Sequence, residues 1–238
     1  VGHNFGPLSK EVHDMYIKLD KEIERLLNEL DKKVGKGNYV VFVSADHAVA
    51  ENSQLMKELG FKYNNFSSRE FANYLGGELS KQYGDGDWVE NAGLDLFFNH
   101  AVLEANGIDL YDIQLFTAQK AMQFPGVYLA IPGIDLTRNS YEQYIPKLIQ
   151  NAYHPKESGD VKIVLDPGWQ GGGMRGTGHG NPWTYDTHIP VIFYGWGVKP
   201  GKSVREIHIT DIAPTLSMLL NIRLPSGSTG TPIFELIK

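Results

Sequence analysis

The sequence YVVFVSADH, residues 39–47, constrains the fold more than any other stretch of the chain. Its first five residues are all apolar or aromatic, so a strand formed by them would bury both of its faces. Such strands are typical of the centre of a mostly parallel sheet that helices cover on both sides. The stretch therefore predicts an α/β fold. It places Asp46 and His47 at the carboxyl end of the strand, where α/β folds usually carry their chemistry.

Two further histidines lie in glycine-rich stretches. His3 is part of VGHNFGP at the start of the chain, and His179 is part of RGTGHGNP. Glycines beside such residues let the backbone approach a bound group closely and adopt positive φ angles. Carboxylate and imidazole groups suit zinc. We therefore predict one shared metal centre with His3, Asp46, His47 and His179 as ligands.

Each of these residues also has a plainer interpretation. Asp46 and His47 could form an ordinary polar strand end, and His3 could belong to a disordered terminus. His179 could simply stabilise its own loop. His188 directly precedes an apolar stretch, so we interpret it as a residue that supports the ligands rather than as a ligand.

The glycine-rich stretch of residues 168–176 leads into His179. It lacks the G-x-x-x-x-G-K-[ST] pattern of a nucleotide-binding P-loop, so we interpret it as a flexible rim of the site. Arg175 and Trp169 could contact substrate, although an exposed loop arginine is more often only solvated. The remaining histidines are expected to be exposed or structurally satisfied: His13, His100, His154 and His208.

Several short sequence motifs follow one another over nearly the whole chain: VGHNFGP at 1–7, SADH at 44–47, GHG at 178–180 with YDTHIP at 185–190, and ITDIAPT at 209–215. Their wording and spacing resemble the alkaline phosphatase superfamily. The similarity is greatest to its bacterial branch of PafA-like alkaline phosphatases and the related nucleotide pyrophosphatase/phosphodiesterases. This resemblance implies an α/β fold, namely a three-layer αβα core with an inserted α+β cap subdomain.

The resemblance also implies a site with two zinc ions. One ion would be held by a D-x-x-x-H turn and a distant histidine, and His3 and His179 match these two histidines. The other ion would take Asp46 and His47 together with an upstream Asp and a nucleophilic Thr or Ser. The first Asp would lie just before Val1, and the nucleophile and second carboxylate still further upstream. We therefore expect the chain to be a C-terminal fragment that is inactive alone.

The function implied by the resemblance is hydrolysis of phosphate monoesters through a covalent phospho-Thr or phospho-Ser intermediate. One zinc ion would lower the pKa of the nucleophile, and the other would stabilise the leaving alkoxide. A phosphodiesterase or nucleotide pyrophosphatase of the same superfamily is the alternative. A non-catalytic metal-binding or partner-binding module is a further alternative, and the missing nucleophile favours it. A periplasmic or secreted location is also implied.

Composition excludes some classes of protein. The formal net charge of −6 gives no basic surface typical of nucleic-acid binding. No apolar run approaches the roughly 20 residues of a membrane span. Because the chain has no cysteine, it forms neither disulfides nor thiolate metal sites. Upstream strands missing from the sheet would leave an exposed edge, so self-association is expected.

The sequence divides into a core in two pieces and an insert. We assign residues 1–50 and 156–238 to the core and residues 51–155 to the inserted cap, which would border the site and shape substrate choice. A purely structural insert is the alternative. The core should contain a helix that follows Ser9 as N-cap and ends at Gly35, a strand over residues 161–165, and a helix over residues 211–220 capped by Thr210.

The insert has its own local signals. Ser67 precedes a predicted helix, a turn is expected at residues 84–87, and residues 110–122 are predicted to form an amphipathic helix. Residues 126–131 are predicted to form a strand.

Overall fold

The structure is a computed structural model that describes residues 1–171 and 176–237. The chain forms two compact units. The larger unit comprises residues 1–15 and 47–188, and the smaller unit comprises residues 16–46 and 189–238. Among the described residues, no helix is long and apolar enough to cross a membrane.

The larger unit contains both helices and strands. Its helices are α1 (Gly2–Phe5), α3 (Ser53–Glu58), α4 (Ser68–Tyr83), α5 (His100–Asn106), α6 (Leu110–Ala121), α7 (Gly133–Arg138), α8 (Tyr144–Ala152) and α9 (Thr184–Thr187). Its strands are β2 (Asn64–Phe66), β3 (Val89–Ala92), β4 (Asp95–Phe98), β5 (Val127–Pro132), β6 (Val161–Leu165) and β7 (Trp169–Gly171). The main sheet is antiparallel in the order β3-β4-β6-β5, and β2 and β7 form a parallel pair.

The core of the larger unit lies between this sheet and helices α4 and α6. Helix α4 begins at Ser68, and the hydroxyl of Ser67 caps it by accepting the amide of Glu70 at 3.3 Å, which confirms the helix start predicted there. Phe71, Leu75 and Leu79 follow at four-residue intervals and are fully buried. Burial of each such side chain stabilises the fold by roughly 1.5–3 kcal/mol.

The second helix on this sheet also follows its prediction. Helix α6 spans Leu110–Ala121, close to the predicted residues 110–122. The carboxylate of Asp109 caps it by accepting the amides of Tyr111 and Asp112 at 2.9 and 3.0 Å. Ile113 lies on its buried face.

Strands β5 and β6 confirm the two strands predicted near residues 126–131 and at residues 161–165. They pair directly, with Val127 opposite Leu165. The predicted cap, residues 51–155, lies wholly in the larger unit, and its strands β3, β4 and β5 share a sheet with β6, which the sequence assigns to the core. The cap boundaries and the role of the cap remain predictions.

Helix α2 (Lys10–Lys33) begins in residues 1–15 and continues into the smaller unit. The hydroxyl of Ser9 accepts the amide of Val12 at 3.2 Å, which confirms the predicted N-cap. After the helix, Gly35 has a φ angle of 97°, a value that favours glycine and supports the predicted end of the helix. None of the residues of α2 is buried.

The apolar strand that precedes Asp46 and His47 differs from its prediction. Strand β1 (Val40–Val43) pairs antiparallel with β8 (Ile192–Gly195), and this sheet has two strands in the described part of the chain. Phe42 on β1 and Tyr194 on β8 remain 43% and 46% exposed. The prediction of a central parallel strand was therefore wrong for the described residues. An apolar pattern shows what a strand can bury, but it does not identify the strand beside it.

The C-terminal helix is α10 (Ile212–Leu219), preceded by a 3-10 turn over Ile209–Asp211. Thr210 was the wrong cap, because its side chain makes no capping hydrogen bond. Asp211, which is 5% exposed, instead accepts the amides of His208 and Thr231 at 2.9 and 2.8 Å. This carboxylate ties the turn to the segment near the end of the chain.

Candidate metal centre

His3 is fixed by a close pairing with the segment before His179. The amide of Thr177 donates to the carbonyl of His3 at 2.9 Å, and Nδ1 of His3 lies 3.0 Å from the carbonyl of Thr177. Gly176 allows this approach, because a Cβ atom there would lie 2.1 Å from the His3 carbonyl oxygen. Its φ angle of 86° is also one that side chains rarely allow. The chain therefore needs glycine at this position.

The segment that bears His179 is anchored by buried polar groups. Gln170, which is 3% exposed, accepts the amide of Gly178 at 2.7 Å and donates to the hydroxyl of Ser53 at 2.6 Å. The hydroxyl of Thr177 donates to the carbonyl of Ala50. These contacts hold the segment beside the residues that follow His47.

The three predicted histidine ligands lie together in the larger unit. The rings of His47 and His179 stack, with centroids 3.5 Å apart and planes 14° apart. The ring centroids of His3 and His179 lie 5.3 Å apart. Asp46 directly precedes His47 in the chain but belongs to the smaller unit, so its part in the site remains a prediction.

The hydrogen bonds of two of these rings suit a metal. A carbonyl oxygen can only accept, so Nδ1 of His3 donates to Thr177 and Nδ1 of His47 donates to Ala48 at 2.8 Å. That tautomer leaves Nε2 as the ring nitrogen able to ligate. Metal-binding histidines usually have their other nitrogen held by a backbone carbonyl or carboxylate in this way. The donor set therefore fits zinc.

The ligand set is nevertheless not complete within the described residues. In 1–171 and 176–237, no group of three or more His, Cys, Asp or Glu side chains is placed to hold a metal ion. Catalytic zinc typically takes three protein ligands. The described residues thus bring histidines together without supplying a full set for one ion.

Asp186 supports the site, although the sequence did not predict a role for it. It is 3% exposed, its carbonyl accepts the amide of Ala48 at 2.8 Å, and its Oδ2 accepts the amide of Asn181 at 2.8 Å. One residue thereby holds the segments that follow His47 and His179. Burial raises the pKa of Asp186, while the amide of Asn181 and the nearby His47 lower it in part.

The other carboxylate oxygen of Asp186 is buried and makes no hydrogen bond of normal geometry with a described residue. The amides of Gly180 and Ala50 face this carboxylate and also lower its pKa, but they are weaker influences than burial. The position of Asp186 inside the motif YDTHIP was the one sequence signal that could have identified it as part of the site.

Other residues considered from the sequence have smaller or different roles. The side chain of His188 is exposed and makes no hydrogen bond with residues 1–171 or 176–237, and the supporting role predicted for it stays a prediction. Trp169 packs its ring over Gly126, where a Cβ atom would lie 2.2 Å from the indole. Arg175 lies outside the described residues.

Comparison with protein families gives a match over most of the chain. The family model described as type I phosphodiesterase / nucleotide pyrophosphatase matches residues 1–189. Similar proteins include a "Calcium-transporting ATPase" of Myroides odoratus, which is 36% identical over 241 residues. Alkaline phosphatase PafA of Elizabethkingia meningoseptica is 37% identical over 239 residues. Both similarities cover 100% of this chain and 44% of the relative.

Solved structures give the same result. The crystal structure of wild-type alkaline phosphatase PafA matches with a TM-score of 0.92 and 37% identity, covering 100% of this chain and 46% of that one. The chain thus spans less than half the length of these relatives. The matches confirm the resemblance and the α/β fold class predicted from the sequence.

Proposed function

Because the chain belongs to the type I phosphodiesterase / nucleotide pyrophosphatase family, we propose that it is part of a zinc-dependent phosphoric ester hydrolase. Phosphate monoesters are the proposed substrates, since two relatives that are 37% identical over the full length of this chain carry the name alkaline phosphatase. The observation that carries the proposal is the gathering of His3, His47 and His179, which come from three distant parts of the sequence.

The chain's own residues would contribute by holding the ligands in place. His3 and His179 are proposed for one zinc ion, and Asp46 and His47 for the other. When bound, two zinc ions would supply positive charge that stabilises the phosphoryl oxygens on both sides of the reacting phosphorus. Asp186 keeps the two histidine-bearing segments together through its carbonyl and its carboxylate.

The nucleophile is proposed to be a Thr or Ser outside this chain. Two threonines near the site were the candidates within it. The hydroxyl of Thr177 donates to the carbonyl of Ala50, and the hydroxyl of Thr187 lies 3.3 Å from the carbonyl of Trp183. Each hydroxyl thus donates to the backbone carbonyl of another residue rather than to a base, which favours a nucleophile elsewhere.

Two alternatives remain. A phosphodiesterase or nucleotide pyrophosphatase is favoured by the description of the matching family. A non-catalytic metal-binding or partner-binding module is favoured by the incomplete ligand set of the described residues.

A periplasmic or secreted location and self-association belong to the same proposal. Fractionation of the natural host and light scattering of the purified chain would test these two points.

The deciding experiment is turnover by the longest natural form of the protein. Hydrolysis of p-nitrophenyl phosphate and of bis-p-nitrophenyl phosphate should be compared before and after chelation and after zinc is restored. Faster, zinc-restored hydrolysis of the monoester supports the proposal. Faster hydrolysis of the diester supports the first alternative. Zinc binding without hydrolysis of either compound supports the non-catalytic module.

A further inference from the structure

A cavity of about 350 Å³ opens in the larger unit at the start of β6, beside Asp160. None of the residues that line the cavity belongs to the segments that bear or anchor His3, His47 and His179. The cavity is therefore separate from the histidine cluster. Its volume is within the roughly 300–1,000 Å³ of small-molecule sites.

Gln114 gives this cavity an unpaired polar group. Its side chain is only 2% exposed and lines the cavity. Its Oε1 accepts the amide of Ile134 at 3.0 Å, which fixes which end of the side-chain amide is oxygen. Its Nε2 makes no hydrogen bond with residues 1–171 or 176–237. Two N–H donors of a nearly buried group are therefore available to a ligand that carries acceptors.

Tyr153 adds another donor. Its hydroxyl lies over Gly133, where a Cβ atom would come within 2.4 Å of the phenolic oxygen. Burial raises the pKa of Tyr153, and the charges of Asp160 and Asp95 raise it further. The phenol is thus protonated at neutral pH, and its hydroxyl makes no hydrogen bond to a described side chain or carbonyl.

Lys156 brings a positive charge to the rim. It forms no salt bridge in the part of the chain that the structure describes. The one carboxylate in the lining, Asp160, is already engaged, since it accepts the amide of Phe98 at 2.8 Å and lies 3.0 Å from Nε2 of His100. The groups left for a ligand at this site are therefore the donors of Gln114 and Tyr153 and the ammonium group of Lys156.

The remaining wall is apolar and is formed by Phe97, Leu110, Ile134 and Pro155. We propose that the cavity is a binding site for a small organic oxyanion, in which a carboxylate or phosphonate group meets Gln114, Tyr153 and Lys156 while a single apolar ring lies against this wall. This proposal does not depend on the proposed function of the histidine cluster.

The test is a calorimetric titration of the 238-residue chain with small anions. The buffer contains EDTA, so that binding of an anion through a metal ion does not contribute to the measured heat. Benzoate and phenylphosphonate should bind saturably by calorimetry, and inorganic phosphate should bind more weakly because it lacks the apolar body. Lys156→Met should weaken binding by about tenfold, as expected for one charge-assisted hydrogen bond. Lys202→Met removes a lysine that does not line the cavity and should leave the affinity unchanged.

Two further variants separate binding from folding. Gln114→Glu keeps the oxygen that Ile134 requires but replaces the donors with negative charge, so it should abolish binding. Tyr153→Phe removes only the hydroxyl and should weaken binding even if the Gln114 variant does not fold. Absence of saturable binding by both ring compounds would overturn the proposal. Equal affinity of the Lys156→Met and Tyr153→Phe variants and the unmodified chain would also overturn it, as would binding of inorganic phosphate alone.

Discussion

The rings of His47 and His179 are stacked with their centroids 3.5 Å apart, although the two residues lie far apart in the sequence. Each ring comes from a segment whose backbone is anchored next to the histidine: the amide of Ala48 donates to the carbonyl of Asp186, and the amide of Gly178 donates to Gln170. The stacking is thus a consequence of how the two segments are anchored.

Zinc binding by the 238-residue chain should be weak and should depend on His179. The histidine cluster provides pairs of ligands rather than a complete set. His179→Ala removes the ring that contacts both His3 and His47, so it should reduce zinc affinity by at least an order of magnitude. A competition titration with a chromophoric zinc chelator measures the change. His154→Ala, an exposed histidine away from the cluster, is the matched control, and an equal loss in both variants would contradict the site.

In the longest natural form, turnover should respond to the same residues. His179→Ala and Asp46→Ala should each lower turnover of p-nitrophenyl phosphate by orders of magnitude, because charge stabilisation at a metal is commonly worth several kcal/mol of barrier. His188→Ala should cost less than the roughly 10–100-fold typical of residues that orient a ligand, since its side chain makes no hydrogen bond to the described residues. Equal losses at His188 and His179 would show that their roles are misassigned.

The sequence predicted which histidines would meet, but it did not predict how they are held. Flanking glycines and the order of the motifs led to the prediction that His3 and His179 lie together, and their rings do lie together, while their role as ligands stays a prediction. Asp186 was missed because its role depends on burial and on its backbone carbonyl, neither of which has a local pattern. Strand β1 was predicted from its apolar residues, yet its antiparallel partner β8 is a long-range choice that residue periodicity does not encode.

Helices with local signals were predicted more closely. Ser67 and Ser9 cap their helices through a hydroxyl that lies three residues before the bonded amide, a relationship visible in the sequence. Thr210 was predicted to be the N-cap of the last helix, but its neighbour Asp211 makes the hydrogen bonds at this turn. The carboxylate of Asp211 accepts the amides of His208 and of Thr231, which lies twenty residues away. Local sequence patterns therefore predicted where helices form, whereas long-range hydrogen bonds decided which polar side chain bonds to the backbone at a helix end.

Gly176→Ala should disrupt the pairing of His3 with Thr177. The added Cβ would lie 2.1 Å from the His3 carbonyl oxygen, and alanine is strained at the φ angle of 86°. We expect a loss of more than about 1 kcal/mol in the free energy of unfolding, with a further loss of zinc affinity. Urea unfolding and the zinc competition titration measure these quantities.

Gly77→Ala provides the control for that substitution. Gly77 lies on the exposed face of α4, and a Cβ atom added there would meet no atom within 4 Å outside its own helix. Alanine at this position should stabilise the chain by up to about 1 kcal/mol through helix propensity. If Gly176→Ala were as stable as Gly77→Ala, the close approach of the two segments would not exist in solution.

Glu78→Gln should change the pH dependence of stability. Lys120 and Lys81, with ammonium groups 2.7 and 2.5 Å from the carboxylate, lower the pKa of Glu78 from 4.5 to about 2. A carboxylate with a lowered pKa stabilises the fold above its ordinary pKa, and this contribution is lost as the pH falls through the folded value. The variant should therefore be less stable than the unmodified chain at neutral pH, with the difference shrinking between pH 4.5 and 2.

Urea unfolding of both proteins across this range measures the effect. Glu22→Gln serves as the control, because Glu22 is 63% exposed and pairs with Arg25 along the surface of α2. Such exposed pairs contribute little to stability. A pH-independent difference for Glu78→Gln would show that the pairing between α4 and α6 does not influence folding.

The 238-residue chain by itself should not hydrolyse p-nitrophenyl phosphate, even with added zinc. The described residues lack a complete set of ligands for one ion, and the hydroxyls of Thr177 and Thr187 are directed to backbone carbonyls. A longer natural form that restores the length of the relatives should be active under the same conditions, which controls for the assay. Activity of the short chain that survives repurification and disappears in Asp46→Ala would overturn this prediction. In that case Thr177→Ala and Thr187→Ala should be compared, because the variant that stops phosphate release would identify the nucleophile within the chain.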